Sequence, residues 1–352
     1  MSYRKIVCEK LGTNFREVTR IVSSKLSLAP ATGHVLVRNE YLGINASDIN
    51  FTNGTYLPGV QPPFDTGFEA VGKVVGVGEG VSHLKVGQPV CYSAFGAFAE
   101  YKEVDARGTI PVAKSTPEPL TLLVSGLTAS IALEKVGELT GKETVLVTAA
   151  AGATGSFAVQ LAKLKGCHVI GTCSSDDKCE ALRKLGVDRP INYKKEPLFK
   201  TLRAEYPKGV DVVYESVGGE IFDAALNNMA VRGKLIVIGF TSGYQDGSGW
   251  GTQTGVASGK KAPTPLPAKI LAKSLSLRGF FLNDYAREWK PHMGTLMQLI
   301  GEGKLQALTD STPFTGLEGV ADAIEYMYSG KNTGKVCPRS SSRKITESLL
   351  FQ

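Results

Sequence analysis

The 352-residue sequence predicts an α/β protein, a doubly wound parallel sheet joined to a β-rich domain. Three observations lead there. The length exceeds what a single core usually serves, so two domains are expected. The first third holds short apolar runs such as HVLVR (34–38) and GKVVG (72–76), bounded by Gly, Pro, Asn and Asp. From about residue 121 the pattern changes to strands alternating with helices, the signature of a parallel sheet with crossover helices.

The elements follow in order. Leu122, Leu123, Leu127 and Ile131 recur at helical spacing. Strands are expected at 144–148, 168–173, 211–214, 234–240 and 275–281. Helices are expected after the first of these and at 178–185 and 221–229. Residues 317–328 read as an amphipathic helix, and 334–337 as a closing strand that returns to the first domain. Residues 241–269 are too long and too rich in Gly, Pro, Ser and Thr for an ordinary loop. They read as a linker or an active-site lid, and their place after a sheet strand favours the lid. The Ser- and charge-rich tail from Arg339 is expected to fray.

The segment VLVTAAAGATG (145–155) carries the chemistry. It reads as a strand, a tight turn and a helix start, a G-x-G-x-x-G pattern with alanine in the first place. Gly152 lets the backbone approach a pyrophosphate, Gly155 lets the helix pack on the sheet, and the helix N-terminus attracts the anion. An ordinary strand-to-helix turn is the plain alternative, and the flanking strands weigh against it. In an NAD site the second strand usually ends in Asp or Glu. This one ends Cys173-Ser174-Ser175, followed by Lys178 and then Tyr193. Hydroxyl, ammonium and phenol suit a ribose phosphate, so NADPH is favoured. Asp176 and Asp177 weigh the other way, and Lys178 taken alone reads as a solvated helix charge.

Composition sets bounds. A net charge of +7 suits an anionic ligand, but no basic cluster interleaved with aromatics points to nucleic acid. No apolar run reads as long enough for a membrane span, and MSYRKIVCEK does not read as a signal peptide. Six scattered cysteines without a C-x-x-C pair read as reduced thiols.

The stretches NASDINFTNGTY (45–56), PPFDTGFEAVG (62–72), LVTAAAGATG (146–155), CHVIGTCSSDDK (167–178), GVDVVYESVGG (209–219), LIVIGFTSGYQ (235–245) and YMYSGKNTGK (326–335) resemble the medium-chain dehydrogenase/reductase superfamily, in its quinone-oxidoreductase-like branch. The resemblance runs through nearly the whole chain. It implies a Rossmann NADP-binding domain at 123–306, with the lid at 241–269, and a GroES-like substrate or catalytic domain from 1–122 and 307–352. It places Thr154 at the phosphate turn and Ser174, Lys178 and Tyr193 around the adenosine phosphate. Ser216, Ile238 and Tyr244 would line the nicotinamide side, and Phe280, Phe281, Leu282 and Asn332 would complete the grip. Ser125 and Thr128 are further candidates for the nicotinamide amide. For Ile238 and Phe281, core packing is an equal reading.

Zinc-dependent relatives carry Gly-His-Glu where this chain has Gly67-Phe68-Glu69, and a lobe of closely spaced cysteines is missing. No metal is therefore expected, and Glu69 reads as structural or as a partner to a backbone or basic group. Without a Lewis acid, a conjugated carbonyl is the easier substrate. The resemblance implies reduction of lipid enones, 15-oxoprostaglandins at the 13,14 double bond. Tyr56 would be the polarising donor or proton source and Asn45 would lie beside the nicotinamide. Tyr56 packed against the lid is the plain alternative, with water or a cofactor hydroxyl then giving the proton, and Asp48 reads as structural. Two other readings stand: an NADPH quinone reductase, and a non-catalytic NADPH-binding protein with a structural or RNA-binding role. Relatives often pair as homodimers through sheet edges, and 275–281 is the strand expected to serve. The ending SLLFQ lacks the peroxisomal Ser-Lys-Leu of relatives, so the cytoplasm is expected, with the peroxisome as the alternative.

Overall fold

The computed structural model describes residues 2–245 and 265–340. Most of the expected lid, including Lys260 and Lys261, and the tail beyond Ser340 lie outside the described residues. The chain divides into two units, one of residues 1–123 with 309–352 and one of residues 124–308.

The first unit is built on antiparallel strands. They are β1 (Ser2–Cys8), β2 (Thr19–Lys25), β3 (His34–Leu42), β4 (Phe64–Asp65), β5 (Glu69–Val77), β6 (Pro89–Ser93), β7 (Tyr101–Asp105) and β8 (Thr109–Pro111). Five form a sheet in the order β7-β3-β5-β6-β8, and three form a second in the order β2-β1-β4. Val35, Val37, Ala70, Val74 and Val90 face a core that also takes in Val320, Ala323 and Ile324 of the helix Gly319–Tyr328. The late segment 334–338 runs back along the end of β3, where Ile44 and Leu42 donate to the carbonyls of Val336 and Pro338. This is the expected return of the chain to its first domain.

The second unit holds six parallel strands: β9 (Thr144–Val147), β10 (His168–Cys173), β11 (Arg189–Asn192), β12 (Val210–Glu215), β13 (Met229–Val237) and β14 (Ser276–Gly279). Their order is β11-β10-β9-β12-β13-β14. Helices cover both faces of such a sheet, so its strands read as continuous apolar runs. Val145, Leu146, Val147, Val169 and Ile170 are accordingly fully buried. Strand β11 was not foreseen, because Arg189-Pro190 looks like a turn. As the outermost strand on its side, it tolerates a proline that cannot donate to a ladder.

Among the described residues one helix, Glu118–Gly137, is long and apolar enough to cross a membrane, and most of its apolar window is buried within the protein. This corrects the expectation that no apolar run reaches the length of a membrane span, and the segment contains the helical spacing read at Leu122, Leu123, Leu127 and Ile131. It is a core helix, and its turns over Leu122–Gly126 and Ala132–Gly137 are widened to π geometry.

Candidate cofactor site and buried charge cluster

In the second unit the chain winds from β9 outward to β11, then reverses and winds from β12 to β14. The reversal lies between β9 and β12, and the crevice at the carboxyl ends of those strands is where open α/β sheets bind ligands. Most of the cofactor residues expected in this unit lie at that carboxyl edge. Gly152, Thr154 and Gly155 follow β9, Ser174 and Lys178 follow β10, and Tyr193 follows β11. Ser216 follows β12, Ile238 and Tyr244 follow β13, and Phe280, Phe281 and Leu282 follow β14. Parallel strands in register bring these tips together. Gly171, Val147 and Tyr214 are successive partners across three strands.

The turn after β9 is tight. Gly152 caps the helix Ala153–Leu164 in an extended conformation. A Cβ on Gly155 would press on the Ala149 carbonyl and lie 2.8 Å from the Ala150 Cα, so only glycine lets the helix sit so close. The left-handed position is Ala149, with φ 46, one residue before the alanine that stands in the motif's first glycine place. A non-glycine residue is rarely held there. The Ala149 N–H is secured by the Thr172 hydroxyl at 3.2 Å and the Ala150 N–H by the Thr172 carbonyl at 2.9 Å.

At the β9–β12 crevice, Thr148 is fully buried and its Oγ1 accepts from the Ser216 N–H at 2.9 Å. Glu215 was not foreseen. Its buried carboxylate accepts from the Val217 N–H (3.0 Å) and the Gly218 N–H (3.1 Å), which shapes the turn carrying Ser216. Burial pushes the Glu215 carboxyl up from the ordinary range, against the pull of those N–H groups and the Thr148 hydroxyl. The signal in the sequence was a glutamate closing the apolar run VDVVYE.

At the tip of β10, Ser175 caps the helix Asp176–Lys184 by accepting from the Lys178 N–H. Lys178 is only 9% exposed, so it is not a solvated helix charge. Asp176 turns away toward Lys195 and Asn192. The two aspartates that weighed against a phosphate are thus exposed, and one is already paired. Tyr193 and Phe281 are exposed, whereas Phe280 is buried and stacks on Tyr285 at 4.7 Å. Tyr244 follows β13 at the same edge. Its ring is buried and its hydroxyl accepts from the Phe240 N–H at 2.9 Å, so it holds its own turn.

The first unit holds Asn45, Asp48, Tyr56 and Asn332. Asn45 belongs to a sealed polar cluster. Its Oδ1 accepts from Lys335 Nζ at 2.6 Å, and its Nδ2 donates to Glu69 Oε1 at 2.8 Å. Lys335 and Glu69 form an ion pair in which both side chains are 0% exposed. Asp48 accepts from the Asn45 N–H at 2.8 Å. Burial raises the Asp48 carboxyl well above its usual value, the Asn45 N–H and the Lys335 charge oppose this, and Glu69 adds to it. Gly43 makes room for the cluster, since a Cβ there would run into the Glu69 side chain. Glu69 therefore has the basic partner considered as one reading, and that partner, Lys335, was missed. The signal was a lysine inside the apolar strand GKVC.

Tyr56 lies beside a cluster of rings. Phe51 meets Tyr56 edge-on at 5.5 Å and Phe95 edge-on at 4.9 Å, and Phe68 lies tilted to it at 4.9 Å. Phe95 is 49% exposed. Asn332 is buried and its Nδ2 donates to the Gly334 carbonyl at 2.9 Å, which shapes the loop ahead of Lys335.

The donor set does not fit zinc. Phe68 offers no ligand atom and Glu69 is neutralised by a lysine. Burial, with the nearby Glu69 charge, pushes the Cys91 thiol up to about 12. Among the described residues no three His, Cys, Asp or Glu side chains are grouped to hold an ion.

Comparison with known proteins agrees with this architecture. The family profile described as "Alcohol dehydrogenase GroES-like domain" matches residues 31–114, and that described as "Zinc-binding dehydrogenase" matches residues 153–298. Prostaglandin reductase-3 of Mus musculus is 50% identical over 340 residues, covering 95% of this chain and 88% of its own. A probable quinone oxidoreductase of Leishmania amazonensis is 44% identical over 336 residues, covering 95% and 97%. The structure of Escherichia coli quinone oxidoreductase complexed with NADPH superposes with a TM-score of 0.79 at 28% identity, over 96% of this chain and 99% of that one. The chain belongs to the medium-chain dehydrogenase/reductase superfamily, in the group of the prostaglandin reductase-3 and quinone oxidoreductase proteins.

Proposed function

We propose that the protein is an NADPH-dependent, zinc-independent reductase of conjugated carbonyl compounds, acting on lipid enones such as 15-oxoprostaglandins. The observation that carries this reading is the carboxyl edge of the parallel sheet. There a glycine turn meets a second strand tip with Ser174 and a buried Lys178 and no acid at the ribose position. Relatives named prostaglandin reductase-3 and a quinone oxidoreductase complexed with NADPH support it.

Bound NADPH would supply the hydride. The turn at Gly152 and the helix N-terminus behind it offer backbone N–H groups to the pyrophosphate. Ser174 and Lys178 offer a hydroxyl and an ammonium to the ribose phosphate, and Ser216 sits on the crevice where the nicotinamide half would lie. Hydride addition to the β-carbon of an enone leaves an enolate that needs a donor at oxygen and a proton at the α-carbon. Tyr56 is the proposed donor. Its ring is held edge-on by Phe51. Asn45 has both ends of its amide engaged by Lys335 and Glu69, so it acts by its fixed orientation rather than as a free donor.

A second reading, reduction of quinones, is supported by the relatives named quinone oxidoreductase. Following NADPH consumption with a 15-oxoprostaglandin and with a simple quinone, with product masses, separates the two. Tyr56→Phe should lower kcat on the enone by about a hundredfold, the usual contribution of a positioned proton donor, while NADPH affinity stays unchanged. A Tyr56→Phe enzyme of full activity would remove Tyr56 from the chemistry.

A further inference from the structure

Two buried thiols flank the turn that carries the phosphate-recognition residues. Cys173 ends β10, and Cys179 lies in the first turns of the helix Asp176–Lys184. Their sulfurs are 3.3 Å apart, and Cys173 also reaches the Ser175 carbonyl at 3.4 Å. Cys173 is 3% and Cys179 5% exposed, but the turn above them is open: Ser174 and Ser175 are half-buried, and Asp176 and Asp177 are exposed. The five residues enclosed by the two cysteines include both Ser174 and Lys178.

We infer that Cys173 and Cys179 form a site of oxidative modification, closing to a disulfide under hydrogen peroxide, and that closure weakens NADPH binding. The effect on NADPH rests on the reading of Ser174 and Lys178 as phosphate contacts; the crosslink itself does not. A disulfide needs the sulfurs to close to about 2.0 Å, with the Cβ atoms turned to a defined dihedral. From 3.3 Å that is a movement of side chains and of the helix's first turn, not a refolding. It gives up the Cys173 S–H···O=C contact to Ser175 and draws the N-terminus of the helix toward the strand tip. Ser174 and Lys178, each next in sequence to one of the cysteines, are displaced with it.

The chemistry balances. One thiol attacks a peroxide oxygen, the O–O bond breaks, and a sulfenic acid and one water are formed. The second thiol then attacks the sulfenic sulfur. An S–S bond replaces the S–O bond, and hydroxide leaves with the second thiol's proton as water. Two thiol hydrogens and two electrons pass to the peroxide, giving two waters. Burial slows the first step by disfavouring the thiolate, while the nearby Lys178 charge favours it.

The test uses the full chain, treated with hydrogen peroxide and then freed of it. Intact mass and peptide mapping read the crosslink, and titrations with NADPH and NADH read affinity. The expected product is lighter by two hydrogens, with 173 joined to 179. Its NADPH affinity should be lower by about tenfold or more, the loss of one charge-assisted hydrogen bond, with a smaller change for NADH. A dithiol reductant restores both readings. Cys179→Ser binds NADPH as the parent does, and peroxide does not change that binding. Treated protein without the crosslink, or with only over-oxidised single cysteines, overturns the site. A crosslinked protein of unchanged NADPH affinity, or a Cys179→Ser protein that loses affinity equally, overturns the coupling. A reduced protein that prefers NADH would instead refute the cofactor reading, while the mass measurement still decides the crosslink.

Discussion

Replacing Lys335 with methionine probes the sealed cluster of the first unit directly. Methionine keeps most of the side chain's length and volume and removes the charge. Both members of the pair are 0% exposed, so water cannot take the lysine's place beside Glu69. Removing one partner of a buried ion pair costs about 3–5 kcal/mol, because the other charge is left uncompensated in a poorly polarisable site. Asn45 Oδ1 also loses its 2.6 Å donor, and an unsatisfied buried acceptor adds about 1 kcal/mol or more. The Asn45 amide bound to Glu69 offsets part of this, which leaves about 4 kcal/mol. For a unit of this size that lowers the melting temperature by roughly 8–16 °C. Calorimetry of Lys335→Met beside the parent reads the shift. Adding Glu69→Gln to the same chain removes the stranded charge and should recover at least half of it. A single variant that melts within about 2 °C of the parent, or a double variant no better than the single, would refute the argument that the charges are sealed and mutually dependent.

Two further expectations rest on single positions. Gly155→Ala places a methyl against the Ala149 carbonyl and the Ala150 Cα, and overpacking of this kind costs about 1–3 kcal/mol. It should also weaken NADPH binding, whereas Gly294→Ala, in open space inside the helix Trp289–Gly301, should raise stability by up to about 1 kcal/mol; thermal unfolding and an NADPH titration of both check the contrast. Burial holds the Asp48 carboxyl well above its usual value, so the folded chain keeps a proton that the unfolded chain has released. That contribution to stability falls as pH rises from the ordinary carboxylate range toward the folded value. Asp48→Asn lacks the fall, so its stability relative to the parent should improve as pH rises through that window in urea unfolding, and a pH-independent difference would count against it.

Much of the second unit was legible because its signals are local. Strands such as HVIGTC are continuous apolar runs, and the glycine turn is confined to seven residues. The helix Gly219–Asn227 was foreseen but set two residues late at both ends, since Gly218 and Gly219 take positive φ and begin the helix where a turn was read. Strand β13 begins at Met229, earlier than expected, because Ala230-Val231-Arg232-Gly233 interrupts the apolar pattern and its strand bonds come from a bulged pairing with β12. The charge cluster was not legible. Glu69 and Lys335 each stand in an apolar run, and nothing local to either segment says that the two meet. The same holds for Tyr244, whose hydroxyl returns to the Phe240 N–H only once the turn has formed.

The partner of Glu69 is encoded near the end of the chain, and the unit that contains both is split by the whole of the second unit. During synthesis from the N-terminus, β5 emerges long before residue 335. The second unit, continuous in sequence, can close its sheet while the first still lacks the segment that binds the ends of β3 and neutralises Glu69. The nascent chain therefore carries a β-rich unit whose Glu69 lacks its lysine until the segment around residue 335 has emerged. A truncation between Leu308 and Gly334 would leave all six parallel strands in place and a first unit without Lys335.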